Sequence, residues 1–176
     1  MFRMTMMKSL LAAATTVAMT GAAMAYGHSK TVVDIAAGDD RFTTLVAAVG
    51  AAGLAETLSG EGPFTVFAPV NAAFAALPEG TVETLLQPEN KGDLTNVLLY
   101  HVNDRKLTAS NFPPGSNYFK PVLASKRLCI TAGDGVTITD GTGETATVVI
   151  ADIMASNGVI HVIDKVLLPV TSPACH

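Results

Sequence analysis

The chain has 176 residues, of which 49% are hydrophobic and only 15% are charged, and its formal net charge is −4. This length and composition predict a single globular domain with a sizeable apolar core and exclude a disordered acidic chain. An acidic chain without a basic face is also not expected to bind nucleic acid.

The first 25 residues are typical of a secretory signal peptide. Arg3 and Lys8 give a positive start, an apolar run extends from Leu10 to Met19, and residues 23–25 form a small-x-small cleavage motif. The run is too short to span a bilayer, and no later segment is long and uncharged enough to do so. We therefore expect an exported protein that is secreted, periplasmic or at the cell surface and does not span the membrane. Removing Arg3 and Lys8 from the eleven basic side chains leaves nine against fifteen acidic ones.

Cleavage after Ala25 would make Tyr26, Gly27 and His28 the new N-terminus. A free amine, two backbone amides and a histidine ring in third place form a planar set of four nitrogens that suits Cu(II) or Ni(II). The alternative is a frayed terminus with an incidental histidine. The sequence favours this alternative, so copper binding is the weakest of the functions considered.

Residues 31–58 are predicted to be largely helical. Phe42, Leu45, Val46 and Val49 recur at the spacing of one helical stripe, which indicates a core-facing surface. We expect this stripe to pack against the rest of the core and not to hold a cofactor.

Residues 62–78 begin with a strand and a proline corner. The run from Phe64 to Ala68 is apolar, with β-branched and aromatic residues, and predicts a buried strand. Pro69 ends the strand because proline cannot donate to a ladder. Phe67 of this strand is expected to share one hydrophobic centre with Val162, which lies in a late strand.

A short helix is predicted from Ala72 to Leu77. Asn71 is expected to cap this helix by accepting a hydrogen bond from a free amide, and Pro78 ends it. Phe74 is expected to pin the helix to the preceding strand by packing against Phe67.

A further amphipathic helix is predicted from Leu94 to Tyr100, and His101 either ends it or begins a strand. The structural interpretation of this pair is a Tyr100 ring packed in the interior and a His101 ring bonded to a nearby carbonyl. Residues 102–118 are predicted to be an extended surface excursion with one short strand near residues 105–109.

The last third of the chain changes to a pattern of strands. Asp-Gly and Asn-Gly pairs separate β-branched runs and are strong hairpin signals, because both pairs tolerate positive φ. The pairs are Asp134-Gly135, Asp140-Gly141 and Asn157-Gly158, and the predicted strands cover residues 128–131, 136–139, 145–150 and 159–168. Helices first and an antiparallel meander later predict an α+β fold, which the strand at residues 64–68 must join from a distance.

Cys129 and Cys175 are the only cysteines. In an exported protein two cysteines suggest a disulfide, which here would close 46 residues. The alternative is two free thiols, since Cys129 sits in an apolar strand pattern and Cys175 is next to the last residue. We favour the bridge.

The sequence offers no positive case for an enzyme. It contains no serine in a nucleophile-elbow turn and no glycine-rich loop of the phosphate-binding kind. The four histidines are scattered, with no short spacing of the kind that binds a metal: His28, His101, His161 and His176. We therefore expect no catalysis and no cofactor, and we expect His161 to be a buried, hydrogen-bonded side chain.

Three motifs, in this order along the chain, resemble the fasciclin domain family. Residues 62–78 resemble its first signature, Leu98 to Val102 resemble its tyrosine-histidine segment, and Gly158 to Pro169 resemble its second signature. One departure is Val70, where the family usually has threonine. The resemblance covers about residues 30–169 and implies a bent β sheet or wedge with N-terminal helices packed against it.

The resemblance also suggests how the chain is divided. A signal peptide at residues 1–25 and a flexible mature N-terminus at residues 26–30 precede a fasciclin-like domain at residues 31–169, and residues 170–176 form a C-terminal tail. It implies an adhesion module that binds a cell-surface or extracellular-matrix protein or glycan by surface complementarity.

The resemblance further suggests which residues take part in binding. Tyr100 and His101 match a segment that animal members use to bind integrins, and Asp152 and Ile153 resemble an Asp-Ile motif that contributes to such adhesion. In the structural alternative, Ile153 packs inward and Asp152 accepts amide bonds from the following turn. A second possible function is a cell-envelope carrier of a small apolar ligand or lipid, because the Ala, Val and Leu content would suit an apolar cleft.

Overall fold

The computed structural model describes residues 30–173 and Cys175. The predicted signal peptide at residues 1–25 and the predicted copper-binding N-terminus at Tyr26, Gly27 and His28 lie outside these residues.

Within the described residues the chain forms six α-helices and seven β-strands. The helices are α1 (Val32–Ala37), α2 (Thr43–Ala52), α3 (Ala55–Ser59), α4 (Asn71–Ala75), α5 (Thr81–Leu86) and α6 (Lys91–Tyr100). The strands are β1 (Phe64–Pro69), β2 (Val102–Asn103), β3 (Gly115–Phe119), β4 (Leu128–Ala132), β5 (Val136–Thr139), β6 (Thr145–Ala155) and β7 (Gly158–Ile163). Single 3₁₀ turns occupy Asp40–Phe42, Pro88–Asn90 and Ala109–Asn111.

The seven strands form one curled sheet in the order β2-β1-β7-β6-β5-β4-β3. The predicted meander of β4 to β7 is antiparallel throughout, and β1 joins it by pairing in parallel with β7, from Phe64 opposite Gly158 to Pro69 opposite Ile163. A parallel pair needs a long crossover, and here the chain between β1 and β7 supplies helices and the rest of the sheet. The α+β prediction is therefore confirmed, with the helices mainly at the N-terminal side of the sheet.

The prediction of one short strand near residues 105–109 is wrong. The structure has no strand over residues 105–109; it has β2 directly after α6 and β3 at Gly115–Phe119. Both strands lack clean alternation of polar and apolar residues. They are strands because they pair with β1 and β4, respectively.

The central strands are buried on both faces, so the two main clusters of the core lie on opposite sides of the sheet. Val66, Ala68 and Val162 belong to the cluster beneath the helices, which we call the helix-side cluster. Phe67 belongs with Ile163 to a second cluster around Tyr100, Leu128 and Ile138, which we call the strand-side cluster. Successive side chains of a strand point to opposite faces, and this alternation separates Phe67 from its neighbours Val66 and Ala68.

Two predictions about Phe67 are therefore wrong. Phe67 and Val162 do not share one hydrophobic centre, since they lie in different clusters on opposite faces of the same sheet. Phe74 of α4 packs against the helix-side cluster and a small cluster around Val97, so it does not pin α4 to β1 through Phe67. The polypeptide still forms one body, because β1 and β7 contribute side chains to both clusters.

Asn71 has a different role from the predicted one. Helix α4 starts without a side-chain cap. Asn71 Oδ1 instead accepts a hydrogen bond from Thr44 N at 3.0 Å, and Asn71 Nδ2 donates to Asp40 O at 2.8 Å. Thr44 lies in the first turn of α2, where amides lack partners within the helix. Asn71 therefore satisfies the start of α2, and so joins the helix layer to the proline corner after β1.

Candidate functional site

Asp152 lies in the part of β6 that extends beyond its neighbour β5. The β5 strand pairs only with Thr145, Ala146 and Thr147 of β6, whereas β7 pairs with β6 from Val148 to Ala155. The β6–β7 pairing shifts register twice, between Val148 and Ile150 and between Ile150 and Ile153. Asp152 therefore occupies a bulge, where two residues of β6 face one residue of β7.

The backbone at Asp152 is left-handed. Its φ is +58°, and among the described residues it is the sole non-glycine with positive φ. Aspartate tolerates this conformation better than most residues, yet it is uncommon enough to indicate a functional or structural constraint. The constraint is visible in its contacts. Asp152 Oδ1 accepts a hydrogen bond from Ala109 N at 2.7 Å, and Asp152 N donates to His161 Nδ1 at 3.3 Å.

These contacts differ from the structural alternative set out for Asp152. Its carboxylate binds an amide of the 3₁₀ turn at Ala109–Asn111, not the turn that follows β6. Ile153 does pack inward: it is partly buried against the helix-side cluster and pairs with Ile160. Of the two predicted contact residues in this motif, Asp152 thus presents the more accessible side chain, with 41% of it exposed.

Large apolar side chains are exposed on both sides of Asp152. Val149 is 54% exposed, Ile150 39% and Met154 51%. We call Val149, Ile150, Asp152 and Met154 the β6 edge. Three of these residues were not singled out from the sequence. A signal was available: Val148, Val149 and Ile150 are consecutive apolar residues in a half-exposed strand, and this break in alternation is what a bulge produces.

His161 supports the β6 edge from the interior. Its ring is 1% exposed, stacks on Phe67 with ring centroids 5.6 Å apart, and lies 5.7 Å from the Phe112 ring. His161 Nε2 is 2.6 Å from Leu107 O, so this nitrogen carries the proton and donates it, while Nδ1 accepts from Asp152 N. Burial lowers the pKa of His161. A neutral histidine thus joins the bulge in β6 to the segment before the 3₁₀ turn.

Tyr100 and His101 lie inside the protein, with 0% and 2% exposed. Tyr100 Oη donates to Arg127 O at 2.7 Å. His101 Nδ1 donates to Val97 O at 2.8 Å, and His101 Nε2 accepts from Leu167 N at 2.9 Å. These bonds place His101 at the junction of α6 and the segment after β7. The structure does not bring this pair to the β6 edge, and none of their hydrogen-bond partners belongs to it.

Burial also sets the ionisation of both residues. It raises the pKa of Tyr100, and it lowers the pKa of His101 to about 4. The Tyr100 phenol and the His101 imidazole are therefore both uncharged at neutral pH, and both serve as neutral hydrogen-bonding side chains of the interior.

Cys129 and Cys175 are joined as a disulfide, with the Sγ atoms 2.01 Å apart. Cys129 lies in β4 and is 2% exposed. The segment that leads to Cys175 is also held by hydrogen bonds: Lys126 Nζ donates to Val170 O at 3.0 Å, and Cys175 N donates to Tyr118 Oη at 3.1 Å. The structure thus attaches Val170 and Cys175 to β3, to β4 and to the loop between them.

We expect the variant Cys175→Ala to be less stable than the parent chain. A disulfide separating its cysteines by 46 residues restricts the unfolded chain by up to about 4 kcal/mol in the chain-entropy model. Urea unfolding without reductant measures the loss. The matched control is the same titration with a phosphine reductant, which should destabilise the parent chain and leave Cys175→Ala unchanged. A parent chain whose midpoint ignores the reductant would contradict the prediction.

Among the residues that the structure describes, no three His, Cys, Asp or Glu side chains converge in a way that could hold a metal ion. Across the same residues, no helix has both the length and the apolar character needed to cross a membrane.

Comparison with known protein families covers most of the chain that the structure describes. A model of the fasciclin domain matches residues 40–169. The chain belongs to the fasciclin domain family. The match covers every strand of the sheet, the bulge at Asp152 and the buried residues Tyr100 and His101.

Relatives in the fasciclin family include bacterial and animal proteins. The chain is 54% identical over 141 residues to Protein sll1483 of Synechocystis, covering 80% of this chain and 74% of that protein. It is 43% identical over 139 residues to transforming growth factor-beta-induced protein ig-h3 of Sus scrofa, covering 79% of this chain but only 19% of that protein.

A solved structure shares the fasciclin fold. It is a FAS1 domain pair from the insect cell adhesion molecule Fasciclin I, with a TM-score of 0.58 and 20% sequence identity. The match covers 73% of this chain and 45% of that chain. It confirms the predicted fold of a curled sheet with helices packed beside it.

Proposed function

We propose that this protein is an exported fasciclin module that binds another extracellular protein through the β6 edge, without chemical turnover. The observation that carries the proposal is the combination of three exposed apolar side chains and one exposed carboxylate on a bulged strand. The carboxylate sits on a backbone with positive φ, and the hydrogen bonds of Asp152 to Ala109 and His161 hold that backbone in place.

The composition of the β6 edge supports a protein partner in preference to a glycan. Val149, Ile150 and Met154 are aliphatic and offer apolar area, and methionine is frequent at protein-binding surfaces. Single exposed apolar residues are ordinary, but neighbouring ones on one strand indicate an interaction surface. The fifteen acidic side chains of the chain outnumber the basic ones, so a partner with a basic rim would be complementary.

The bulges also limit the mode of binding. A flat unpaired strand edge would recruit another strand, but bulges twist an edge away from such pairing. The β6 edge contains two register shifts within eight residues of pairing with β7. We therefore infer binding by side-chain contact, not by strand addition.

Tyr100 and His101 are buried away from the β6 edge and enter this proposal only as residues that support the fold. Their enclosed rings hold α6 against Arg127 and Leu167. Ile153 likewise anchors the bulge by packing into the helix-side cluster. The adhesion role itself draws support from the family and from the insect cell adhesion molecule that shares the fold, and export draws support from the signal-like residues 1–25.

We expect the double variant Val149→Thr, Met154→Gln to lose partner binding while it remains folded. Both side chains are about half exposed, so each polar replacement should change stability by no more than about 0.5 kcal/mol and remove the apolar contact. The measurement is capture of proteins from the outer surface of the producing cells on beads carrying each variant, with quantitative mass spectrometry.

The matched control is Val170→Thr, the same chemical change at an exposed valine in the C-terminal segment. Asp152→Asn tests the charge alone, since asparagine also tolerates positive φ. A protein retained by the parent chain and by Val170→Thr, but reduced at least tenfold by the double variant, supports the proposal. Equal retention by all four chains contradicts it.

One observation favours the second function raised by the sequence. An apolar cavity of about 150 Å³ lies between the first three helices and the sheet. A cavity of about this volume holds a molecule the size of benzene, so a carrier role would concern small apolar molecules and not whole lipids.

A further inference from the structure

The apolar cavity is bounded by two layers of the fold. Its helix wall includes Val33, Ala36, Leu45, Val49 and Leu58 from α1, α2 and α3. Its sheet wall is formed by Val66 and Ala68 of β1, Val102 of β2 and Ile160 of β7. The volume is about 150 Å³. The cavity is open on one side and lined almost entirely by apolar side chains, and such a concave apolar site is a candidate site for a small ligand.

The lining offers no hydrogen bond to a ligand. His101 is the one lining residue with a polar side chain, and both of its ring nitrogens are already engaged, with Val97 O and with Leu167 N. Its lowered pKa keeps it uncharged at neutral pH. Water needs two to four polar partners to occupy a cavity. The cavity therefore disfavours water and ions and suits an uncharged apolar group.

The cavity is accessible from the surface of the helix layer. Leu45, Leu58 and Ile160 are buried, whereas Ala36 is partly exposed and Gly50 is exposed. Gly50 has no heavy atom within 4 Å of the position that a Cβ would take. Two of the smallest lining residues, one on α1 and one on α2, are thus accessible to solvent, and we take this exposed side of the cavity as its mouth.

We propose that this cavity is a binding site for a small uncharged hydrocarbon group, about the size of benzene. The group is either a free apolar molecule or the terminal carbons of an acyl chain that enters between α1 and α2. This inference rests on the carrier function and names its ligand class; because the site is separate from the β6 edge, it can be tested independently of the adhesion function.

Benzene is the probe for the free molecule. We expect saturating benzene to raise the thermal unfolding midpoint of the parent chain by about 3 °C, because a ligand that binds only the folded state stabilises it. In Ala36→Leu the added carbons occupy the mouth, and the shift should disappear. Ala37→Leu is the matched control, since Ala37 is the exposed neighbour in α1 and does not line the cavity; it should keep the shift.

Decanoate labelled with ¹³C at its terminal methyl is the probe for an acyl chain. Nuclear Overhauser contacts from this methyl to Val46 and Val49 identify an acyl end in the cavity, and benzene binding without these contacts identifies a site for free molecules. Either result supports the proposal.

If Ala36→Leu does not fold, methyl NMR spectra of the parent chain under xenon test the cavity without a variant. Xenon gas should then shift the methyl signals of Val49 and Ile160 in the parent chain and leave those of Val170, an exposed valine outside the cavity, unchanged. An unchanged unfolding midpoint in benzene together with unchanged methyl signals under xenon would overturn the proposal. An equal benzene shift in a folded Ala36→Leu variant would overturn it as well.

Discussion

Replacing Gly158 with alanine is expected to destabilise the protein by about 3 kcal/mol or more. A Cβ at Gly158 would overlap the backbone carbonyl of Phe64. Backbone atoms of a central strand cannot move aside without breaking the ladder between β1 and β7. The substitution therefore destabilises the parallel pairing of β1 with β7, which joins β1 to the antiparallel strands.

Gly62 shows the same close approach from the other chain segment, since a Cβ there would overlap the carbonyl of Asn157. Phe64 N donates to this same carbonyl at 2.9 Å. The two backbones thus meet where the parallel pair begins, at Phe64 opposite Gly158. The Asn157-Gly158 pair is interpreted from the sequence as a hairpin signal because such pairs tolerate positive φ. The structure shows that the φ of Gly158 lies outside the positive range and that the requirement is close packing.

Gly133→Ala is the matched control. A Cβ at Gly133 meets no heavy atom within 4 Å, and its φ is not positive, so the change should alter stability by less than about 1 kcal/mol and in either direction. Urea unfolding of both variants, followed by circular dichroism, measures the difference. Equal midpoints for Gly158→Ala and Gly133→Ala would show that the two backbones are not in contact.

Acidification from about pH 7.5 to about pH 5 is expected to remove about 2 kcal/mol from the free energy of unfolding. Burial lowers the pKa of His101 from 6.5 to about 4, so the unfolded chain binds a proton in this range and the folded chain does not. The unfolded state binds this proton more strongly, so lowering the pH stabilises it relative to the folded state. The free energy of unfolding therefore declines from just above pH 6.5 towards pH 4. His161 adds to the loss, because burial lowers its pKa as well.

The histidines and the carboxylates affect stability in different pH ranges. The pKa values of Asp34, Asp39 and Glu144 are lowered by hydrogen bonds, chiefly to Thr31, Arg41 and Lys165, respectively. Their contribution is present above their unfolded pKa values and disappears as pH falls below about 4. Measurements at and above about pH 5 therefore report mainly on the histidines.

The test for His101 is urea unfolding at several pH values for the parent chain and for His101→Asn. The variant should be less stable near neutral pH, because Leu167 N loses its acceptor inside the protein at a cost of about 1–3 kcal/mol. Its stability should also depend less on pH than that of the parent chain. An identical pH slope in both chains would assign the titration to other groups.

The candidate site illustrates what a local motif can and cannot predict. Asp152 and Ile153 were singled out from a two-residue resemblance, and the structure shows why they differ: the bulge turns Asp152 outward and leaves Ile153 against the core. The exposed neighbours Val149 and Met154 depend on where β5 stops pairing with β6. No pattern within β6 specifies where its partner strand ends.

The sequence alone was sufficient for those features that depend on neighbouring residues. The proline corner after β1, the stripe of α2 and the positions of the meander turns follow from propensity, period and composition over spans of a few residues. The turns do not use the positive φ that Asp-Gly and Asn-Gly pairs tolerate, since Gly135, Gly141 and Gly158 all lie outside the positive range. The order of the three motifs was likewise sufficient for the fasciclin fold, which the family match confirms over residues 40–169.

The tertiary structure alone decided the features that depend on distant partners. Asn71 serves a helix that begins 28 residues earlier in the chain, and Phe67 and Val162 separate because parallel pairing buries both faces of β1 and β7. The apolar cavity exists only where α1, α2 and α3 meet the sheet. Periodicity shows which face of an element is apolar, but it does not show which surface covers that face or how closely two backbones approach, and both are set by packing of the whole chain.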